Sequence, residues 1–130
     1  TDPTSPAYRN LLTIRGVLGD GQQVSVQGTL MGPQQVHKIT NINGYEVEVP
    51  LAEHHIVMIY RDRPGIVAIY GKEFGEHDIN IAAMQIARES AGGEALSVIT
   101  VDSRVDDEIL ERVGRAIDAR VMRAIEIVEL

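Results

Sequence analysis

Residues 55–83 read HIVMIYRDRPGIVAIYGKEFGEHDINIAA, and the change of periodicity within them decides the fold. Residues 55–61 are a short apolar run of the kind that forms a strand. Pro64 follows with Gly65, and proline suits the first turn of a helix. The apolar residues after it recur at helical spacing, which predicts a single stripe formed by Ile66, Ile69, Tyr70 and Phe74. The stretch therefore predicts a strand that leads directly into an amphipathic helix.

The sequence that follows completes a recognisable order of elements. Residues 78–89 alternate, residues 95–101 form a second apolar run, and residues 121–130 are again rich in β-forming residues. Between them lies a second helix, capped by Ser103 or Asp106, whose stripe is Ile109, Val113, Ala116 and Ile117. The order β-α-β-β-α-β over residues 55–130 predicts the split βαβ, ferredoxin-like arrangement.

The N-terminal part has the composition of strands rather than helices. Asn43-Gly44 separates the apolar runs 39–42 and 45–49, and this dipeptide is the strongest short hairpin signal. Residues 10–49 are predicted to form an antiparallel meander with little or no helix. Because so few strand residues make a thin core, we expect them to pack against something outside this sequence. The predicted fold class is α+β, with a β-rich segment over residues 1–54 and a ferredoxin-like domain over residues 55–130.

Composition restricts the classes of function. The 130 residues carry a net charge of −7 and no cysteine. An acidic chain is poorly suited to a nucleic acid or an anionic membrane, and no run approaches the roughly 20 apolar residues of a membrane span. Small molecules or other proteins are therefore the expected partners. The chain begins at Thr1 rather than methionine, so we expect a piece of a longer protein.

Motifs for catalysis, metals and cofactors are weak. Gly19-x-Gly21 lacks the third glycine of a dinucleotide fingerprint, because Val24 stands at that position. His54 and His55 are adjacent on a predicted strand and point to opposite faces. The carboxylates of residues 106–108 suit the positive end of a helix dipole. The sequence therefore predicts no catalytic residue, metal site or cofactor site within this chain, and no dehydrogenase activity for it alone.

One constellation suits a small zwitterion. Asp62, at the end of the first strand, can accept hydrogen bonds from an ammonium group, and the backbone N–H groups after Pro64 can bind a carboxylate. Gly65 allows close approach, and the Asn80 amide can donate and accept. Because Asp62 and Asn80 flank opposite ends of the helix, they would meet most readily across a dimer interface. The alternative is that Asp62 only caps the helix and Asn80 only ends a loop.

Two stretches carry a family resemblance. Residues 56–67, IVMIYRDRPGIV, and residues 80–85, NIAAMQ, resemble the ACT domain of the D-3-phosphoglycerate dehydrogenase family. The first part, with Gly28-Thr29-Leu30 and Ile42-Asn43-Gly44, resembles the end of the intervening domain in the long bacterial form of that enzyme. The resemblance implies a C-terminal regulatory part, divided into an intervening-domain portion over residues 1–54 and an ACT domain over residues 55–130.

The resemblance also implies a function. Members oxidise 3-phosphoglycerate with NAD in the first step of serine biosynthesis, in the cytoplasm, and many are inhibited by L-serine bound between paired ACT domains. NAD would then be the cofactor of the parent enzyme, and a homo-oligomer of at least two chains is expected. The family's serine contacts fall on Tyr60, Asp62 and Asn80, and we expect the N–H groups near Gly65 and Ile66 to complete the carboxylate site. Tyr60 would then contact the serine hydroxyl or close the pocket.

One departure, a second candidate site and two alternatives accompany this resemblance. Members often have histidine and asparagine where this chain has Tyr60 and Asp62, which bears on ligand identity. The long form can carry a second anion site in the intervening domain, for which Lys38 and Arg15 are the candidates. The chain could instead be the ACT sensor of another enzyme or regulator, with a different amino acid as ligand. It could also be a purely structural oligomerisation module.

Overall fold

The computed structural model describes residues 10–18, 25–31, 36–89 and 92–129. These residues form eight strands and two helices in two sheets. In chain order the elements are β1 Asn10–Leu18, β2 Val26–Met31, β3 Val36–Ile42, β4 Tyr45–Pro50, β5 His54–Arg61, α1 Ile66–Glu76, β6 Ile81–Arg88, β7 Glu94–Val101, α2 Asp107–Ala116 and β8 Val121–Glu129. Neither helix of this described part has the length and apolarity needed to cross a membrane.

The larger sheet has five antiparallel strands in the order β1-β8-β5-β7-β6. Its last four strands, with α1 between β5 and β6 and α2 between β7 and β8, form the ferredoxin-like βαββαβ unit. The predicted fold class and the predicted order of elements are therefore confirmed. In this topology β5 and β6 run parallel on either side of β7, so their C-terminal ends lie at the same end of the sheet, beside the start of β7.

Strand β1 does not belong to the predicted meander. It pairs with β8, from Asn10 opposite Glu129 to Leu18 opposite Met122. The meander prediction is wrong for this strand, and the larger sheet extends across the division at residues 54 and 55. The reason is that β8 would otherwise present an unpaired edge, and edges recruit strands irrespective of their distance in sequence.

The remaining N-terminal strands form a separate antiparallel sheet in the order β2-β3-β4. Asn43 and Gly44 form the predicted turn between β3 and β4, with φ values of 52° and 85°. Two successive positive φ angles are the requirement of the tight turn for which Asn-Gly is favoured, so the hairpin is confirmed. Residues 19–21, which carry the incomplete glycine motif, lie outside the described residues.

The two sheets pack face to face. One face of the larger sheet is covered by α1 and α2, with Tyr70, Phe74 and Leu110 in the core. The opposite face packs against the smaller sheet, and the apolar cluster between them contains Ile39, Ile42, Val47, Val49, Val57, Ile59, Leu96, Val98, Val121, Ile125 and Ile127. The expectation that the N-terminal strands need a cover from outside the sequence is wrong, because the second face of the larger sheet supplies it.

The helix stripes differ slightly from the predicted ones. In α1 the buried residues are Ile66, Tyr70 and Phe74, while Ile69 is 37% exposed. In α2 Leu110 replaces Ile109 as the buried residue and Ala116 is exposed. Asp106 is the N-cap residue of α2, but its carboxylate accepts a hydrogen bond from Arg104. The buried residues follow i, i+4 spacing in α1 and i, i+3 and i, i+4 spacing in α2, as expected for helices that each bury one stripe.

Candidate functional site

A cleft lies where β5 ends, α1 begins and β6 ends. Its volume is about 750 Å³, and it is lined by Tyr60, Asp62, Arg63, Pro64, Gly65, Ile66, Val67, Ala68, Ile86, Arg88 and Gly92. Four of the five residues predicted for the effector site, Tyr60, Asp62, Gly65 and Ile66, are thus brought together in one chain. The cleft combines apolar walls with one carboxylate, that of Asp62, and two guanidinium groups, those of Arg63 and Arg88, which is the composition of a site for a small polar ligand.

The start of α1 supplies anion-binding groups to this cleft. Gly65 is the N-cap residue, with φ at 89°, and its carbonyl accepts the hydrogen bond from the Ile69 N–H. The N–H groups of residues 66–68 therefore precede the helical hydrogen-bond ladder and suit a carboxylate. Among the described residues, no atom lies within 4 Å of the position that a Cβ on Gly65 would take, so glycine keeps this approach open.

Asp62 carries the negative charge of the cleft. Its Oδ2 accepts a hydrogen bond from Nε of Arg88 at 2.6 Å, and the side chain of Asp62 is 20% exposed. The Asp62 N–H donates to the Gly93 carbonyl at 2.8 Å, which anchors the loop to the β6–β7 connection. Because Gly65 is the N-cap, the simple alternative in which Asp62 only caps the helix is not what the structure shows.

Tyr60 lies deeper than predicted. Tyr60 is only 2% exposed, and its hydroxyl oxygen lies 2.8 Å from Ser97 Oγ. The Tyr70 hydroxyl lies 3.3 Å from the same Ser97 oxygen and donates to Met84 Sδ at 2.9 Å. Burial is the main reason that the pKa of the Tyr60 phenol is raised, so this group stays neutral at ordinary pH. Tyr60 forms a wall of the cleft, and its hydroxyl is held by the core.

Asn80 lies at the other end of α1, just before β6 begins. It is exposed, and its Nδ2 donates to Asp102 Oδ2 at 2.7 Å. The 11 residues of α1 span roughly 16 Å at 1.5 Å per residue, so Asn80 does not line the cleft of its own chain. This placement agrees with the prediction that Asp62 and Asn80 flank opposite ends of the helix.

The edge strand β6 exposes apolar side chains beside the cleft. Met84 is 48% exposed and Ile86 39% exposed, and the α1 residues Val67 and Ile69 are similarly exposed. Sequence reasoning missed Ile86 and Arg88 as cleft residues. The signal was available in the period of two along β6, since Met84, Ile86 and Arg88 share one face, but only the sheet order identifies that face as the one beside α1.

The two candidates for a second anion site are not brought together. Lys38 lies on β3 of the smaller sheet, where its Nζ is 2.7 Å from Glu48 Oε1. Arg15 lies on β1 of the larger sheet, where its guanidinium contacts Asp107, Glu126 and the Val105 carbonyl. Carboxylates on neighbouring elements neutralise both cations, so the described residues give no support to a shared anion site.

Comparisons with known proteins agree with this architecture. Residues 54–118 match the family model of the ACT domain. The chain is 32% identical over 123 residues to D-3-phosphoglycerate dehydrogenase of Mycobacterium tuberculosis strain H37Rv. The aligned residues make up 95% of this chain and 23% of that protein. It is 28% identical over 120 residues to D-3-phosphoglycerate dehydrogenase of Bacillus subtilis, and this alignment covers 92% of this chain and 22% of that protein. The chain thus spans less than a quarter of the length of these relatives.

Proposed function

The chain belongs to the ACT domain family, and from that premise we propose that it is an amino-acid-binding regulatory part of a D-3-phosphoglycerate dehydrogenase. The parent enzyme would oxidise 3-phosphoglycerate with NAD, and the domains for that chemistry would lie in the rest of its length. L-serine, the end product, would bind at paired ACT domains and inhibit the enzyme.

The observation that carries the proposal is the pairing of opposite charges at the cleft. Asp62 suits an ammonium group, and the N–H groups of residues 66–68 at the start of α1 suit a carboxylate. A free α-amino acid presents both groups on one carbon. The side chain of a small amino acid such as L-serine would then lie against Tyr60 and Ile86, which both line the cleft.

Completion of the site by a second copy follows from the position of Asn80. Asn80, between the end of α1 and the start of β6, is remote from the cleft of the same chain, and β6 is an edge strand of the larger sheet. Two copies joined along β6 would run antiparallel. Each start of β6 would then lie near the cleft at the end of the partner's β6. Asn80 of one chain would thereby reach the ligand held by the other.

The defining experiment is a calorimetric titration of the protein with L-serine and a panel of other amino acids. Saturable binding of L-serine supports the proposed serine site. Binding of a different amino acid alone would retain the amino-acid sensor and reject the serine assignment. A protein that dimerises but binds no member of the panel would be a structural oligomerisation module.

Asn80→Ala is expected to weaken L-serine binding about tenfold to a hundredfold. The reason is that a hydrogen bond to a charged group contributes about 1.5–3 kcal/mol, and each 1.4 kcal/mol changes affinity about tenfold. The fold should be retained because Asn80 is exposed. Calorimetry on both proteins provides the measurement.

The matched control for Asn80 is Asp102→Asn. This variant keeps an oxygen acceptor beside the Asn80 amide, and it should therefore bind L-serine nearly as the wild type does. Equal affinities of wild type and Asn80→Ala would place the ligand away from Asn80 and reject the shared site.

Met84→Lys is expected to raise the dimer dissociation constant about tenfold or more. An edge strand that carries lysine resists pairing, and a two-fold interface would bring the two introduced charges near each other. Ile14→Lys provides the control, because Ile14 is 38% exposed on the opposite edge strand β1. Sedimentation equilibrium gives the measurement. An effect of Ile14→Lys as large as that of Met84→Lys would argue against pairing along β6.

A further inference from the structure

Arg88 is the last residue of β6 and lies opposite Ala95 of β7. Ala95 belongs to the core beneath the helices, so the register places Arg88 on the sheet face that bears α1. From there its side chain reaches Asp62 across the cleft, 26 residues away along the chain. The cleft is thereby spanned by one ion pair between its two charged walls.

This ion pair has little value for stability. Arg88 is 54% exposed and Asp62 20% exposed, and water screens the attraction between charges at such a surface. Opening the pair therefore costs little. The second arginine that lines the cleft, Arg63, donates to the backbone carbonyls of Arg61 and Ile117. Among the described cleft residues, Arg88 is thus the cation whose partner is a side-chain carboxylate.

On the premise of the proposed amino-acid site, we propose that Arg88 binds the ligand's carboxylate and that the ligand enters by separating Arg88 from Asp62. The ammonium of the amino acid takes the place of the guanidinium at Asp62. Its carboxylate takes the place of the Asp62 carboxylate at Arg88, beside the N–H groups at the start of α1. One charge-assisted contact is exchanged for two, so the exchange is favourable for a zwitterion.

The same exchange makes the pair a determinant of ligand specificity. An amine without a carboxylate would satisfy Asp62 and leave Arg88 without its partner. A carboxylic acid without an amine would satisfy Arg88 and leave Asp62 without its partner. Either ligand breaks one contact and regains one, and it therefore gains little. Only a molecule that carries both charges close together gains from opening the pair, which selects free amino acids over their decarboxylated or deaminated counterparts.

The test is calorimetry with L-serine, ethanolamine and 3-hydroxypropionate on the wild type, Arg88→Gln, Arg88→Lys and Arg112→Gln. Ethanolamine is serine without its carboxylate, and 3-hydroxypropionate is serine without its ammonium group. Arg112 is a matched control because it lies on α2, is 68% exposed and pairs with Glu73. If the panel above identifies another amino acid as the ligand, that amino acid and its own two counterparts replace these probes. Thermal unfolding of each variant checks the fold.

For the wild type and Arg112→Gln, the amino acid should bind at least tenfold more tightly than either counterpart. In Arg88→Gln its affinity should fall at least tenfold, whereas that of ethanolamine should stay the same or rise, because Asp62 is no longer neutralised. Arg88→Lys should recover part of the lost affinity. Unchanged amino-acid binding in Arg88→Gln would overturn the role of Arg88 and leave the proposed function standing. Failure of the wild type to bind any amino acid would reject the proposed function and the role of Arg88 together.

Discussion

Ile42→Ala is expected to lower the free energy of unfolding by about 2–5 kcal/mol, the usual cost of truncating a fully buried isoleucine. Ile42 has no exposed surface and belongs to the cluster between the two sheets. The side chains that it packs among come from both sheets, so the deletion leaves a cavity that neither sheet can close alone. Denaturant-induced unfolding followed by circular dichroism provides the measurement.

Ile14→Ala is the matched control for this cavity, because Ile14 is 38% exposed on β1. Its truncation removes the same atoms from a solvent-exposed position and should lower the free energy of unfolding by about 1 kcal/mol or less. Equal costs for the two variants would contradict the face-to-face packing of the sheets. A second transition, seen only in Ile42→Ala, would show that the smaller sheet unfolds separately.

Strand β6 contributes both to the packing between the two sheets and to the cleft. On one face Gln85 Oε1 accepts the Glu48 N–H at 2.5 Å, and Glu89, just after the strand, accepts the Tyr45 hydroxyl at 3.1 Å. On the other face Ile86 and Arg88 line the cleft. The strand that carries these cleft-lining side chains is therefore tied to the smaller sheet by residues of its other face.

Stability is expected to fall as the pH drops from about 6.5 to about 4, partly through His55. Burial, and secondarily the charge of neighbouring His54, lowers the pKa of His55 to about 4. Its Nε2 accepts the Ala52 N–H at 3.0 Å, so the ring proton lies on Nδ1, 3.1 Å from Thr100 Oγ1. This neutral tautomer fits its surroundings, and a protonated ring would lose the bond from Ala52.

The direction of this pH dependence follows from the protonation of His55 in the folded and in the unfolded chain. Above about pH 6.5, His55 is neutral both folded and unfolded, and it contributes no pH dependence. Below that pH His55 is protonated in the unfolded chain but stays neutral in the folded chain. The free energy of unfolding therefore decreases until the pH reaches the pKa of His55 in the folded chain. A difference of about 2.5 pKa units corresponds to roughly 3 kcal/mol.

Urea unfolding at pH 7.5, 6 and 5 measures this contribution for the wild type, His55→Gln and His77→Gln. His55→Gln should show a shallower decline of stability with falling pH, whatever its stability at pH 7.5. His77 is only partly buried beyond the end of α1, and its replacement should leave the decline steeper than in His55→Gln. Parallel pH curves for the wild type and His55→Gln would remove His55 as the cause.

Features that depend on neighbouring residues could be predicted from the sequence. The Asn43-Gly44 hairpin, the helix after Pro64 and the β-α-β-β-α-β order all follow from turn chemistry and periodicity, which act over a few residues. The cluster of Asp62, Gly65 and Ile66 at one cleft follows in the same way, because a strand that passes directly into a helix keeps its last loop compact. The separation of Asn80 from that cleft follows from the length of the helix.

The tertiary structure decided what depends on partners distant in sequence. A period of two identifies a strand and its two faces, but not the edge or the layer that it meets. It therefore could not assign β1 to β8, or the smaller sheet to the second face of the larger one. The same limit applied to side chains: Lys38 and Arg15 meet carboxylates, the Tyr60 hydroxyl meets Ser97, and Asp62 meets Arg88. Such pairings arise only when packing brings remote residues together, and local propensity carries no information about them.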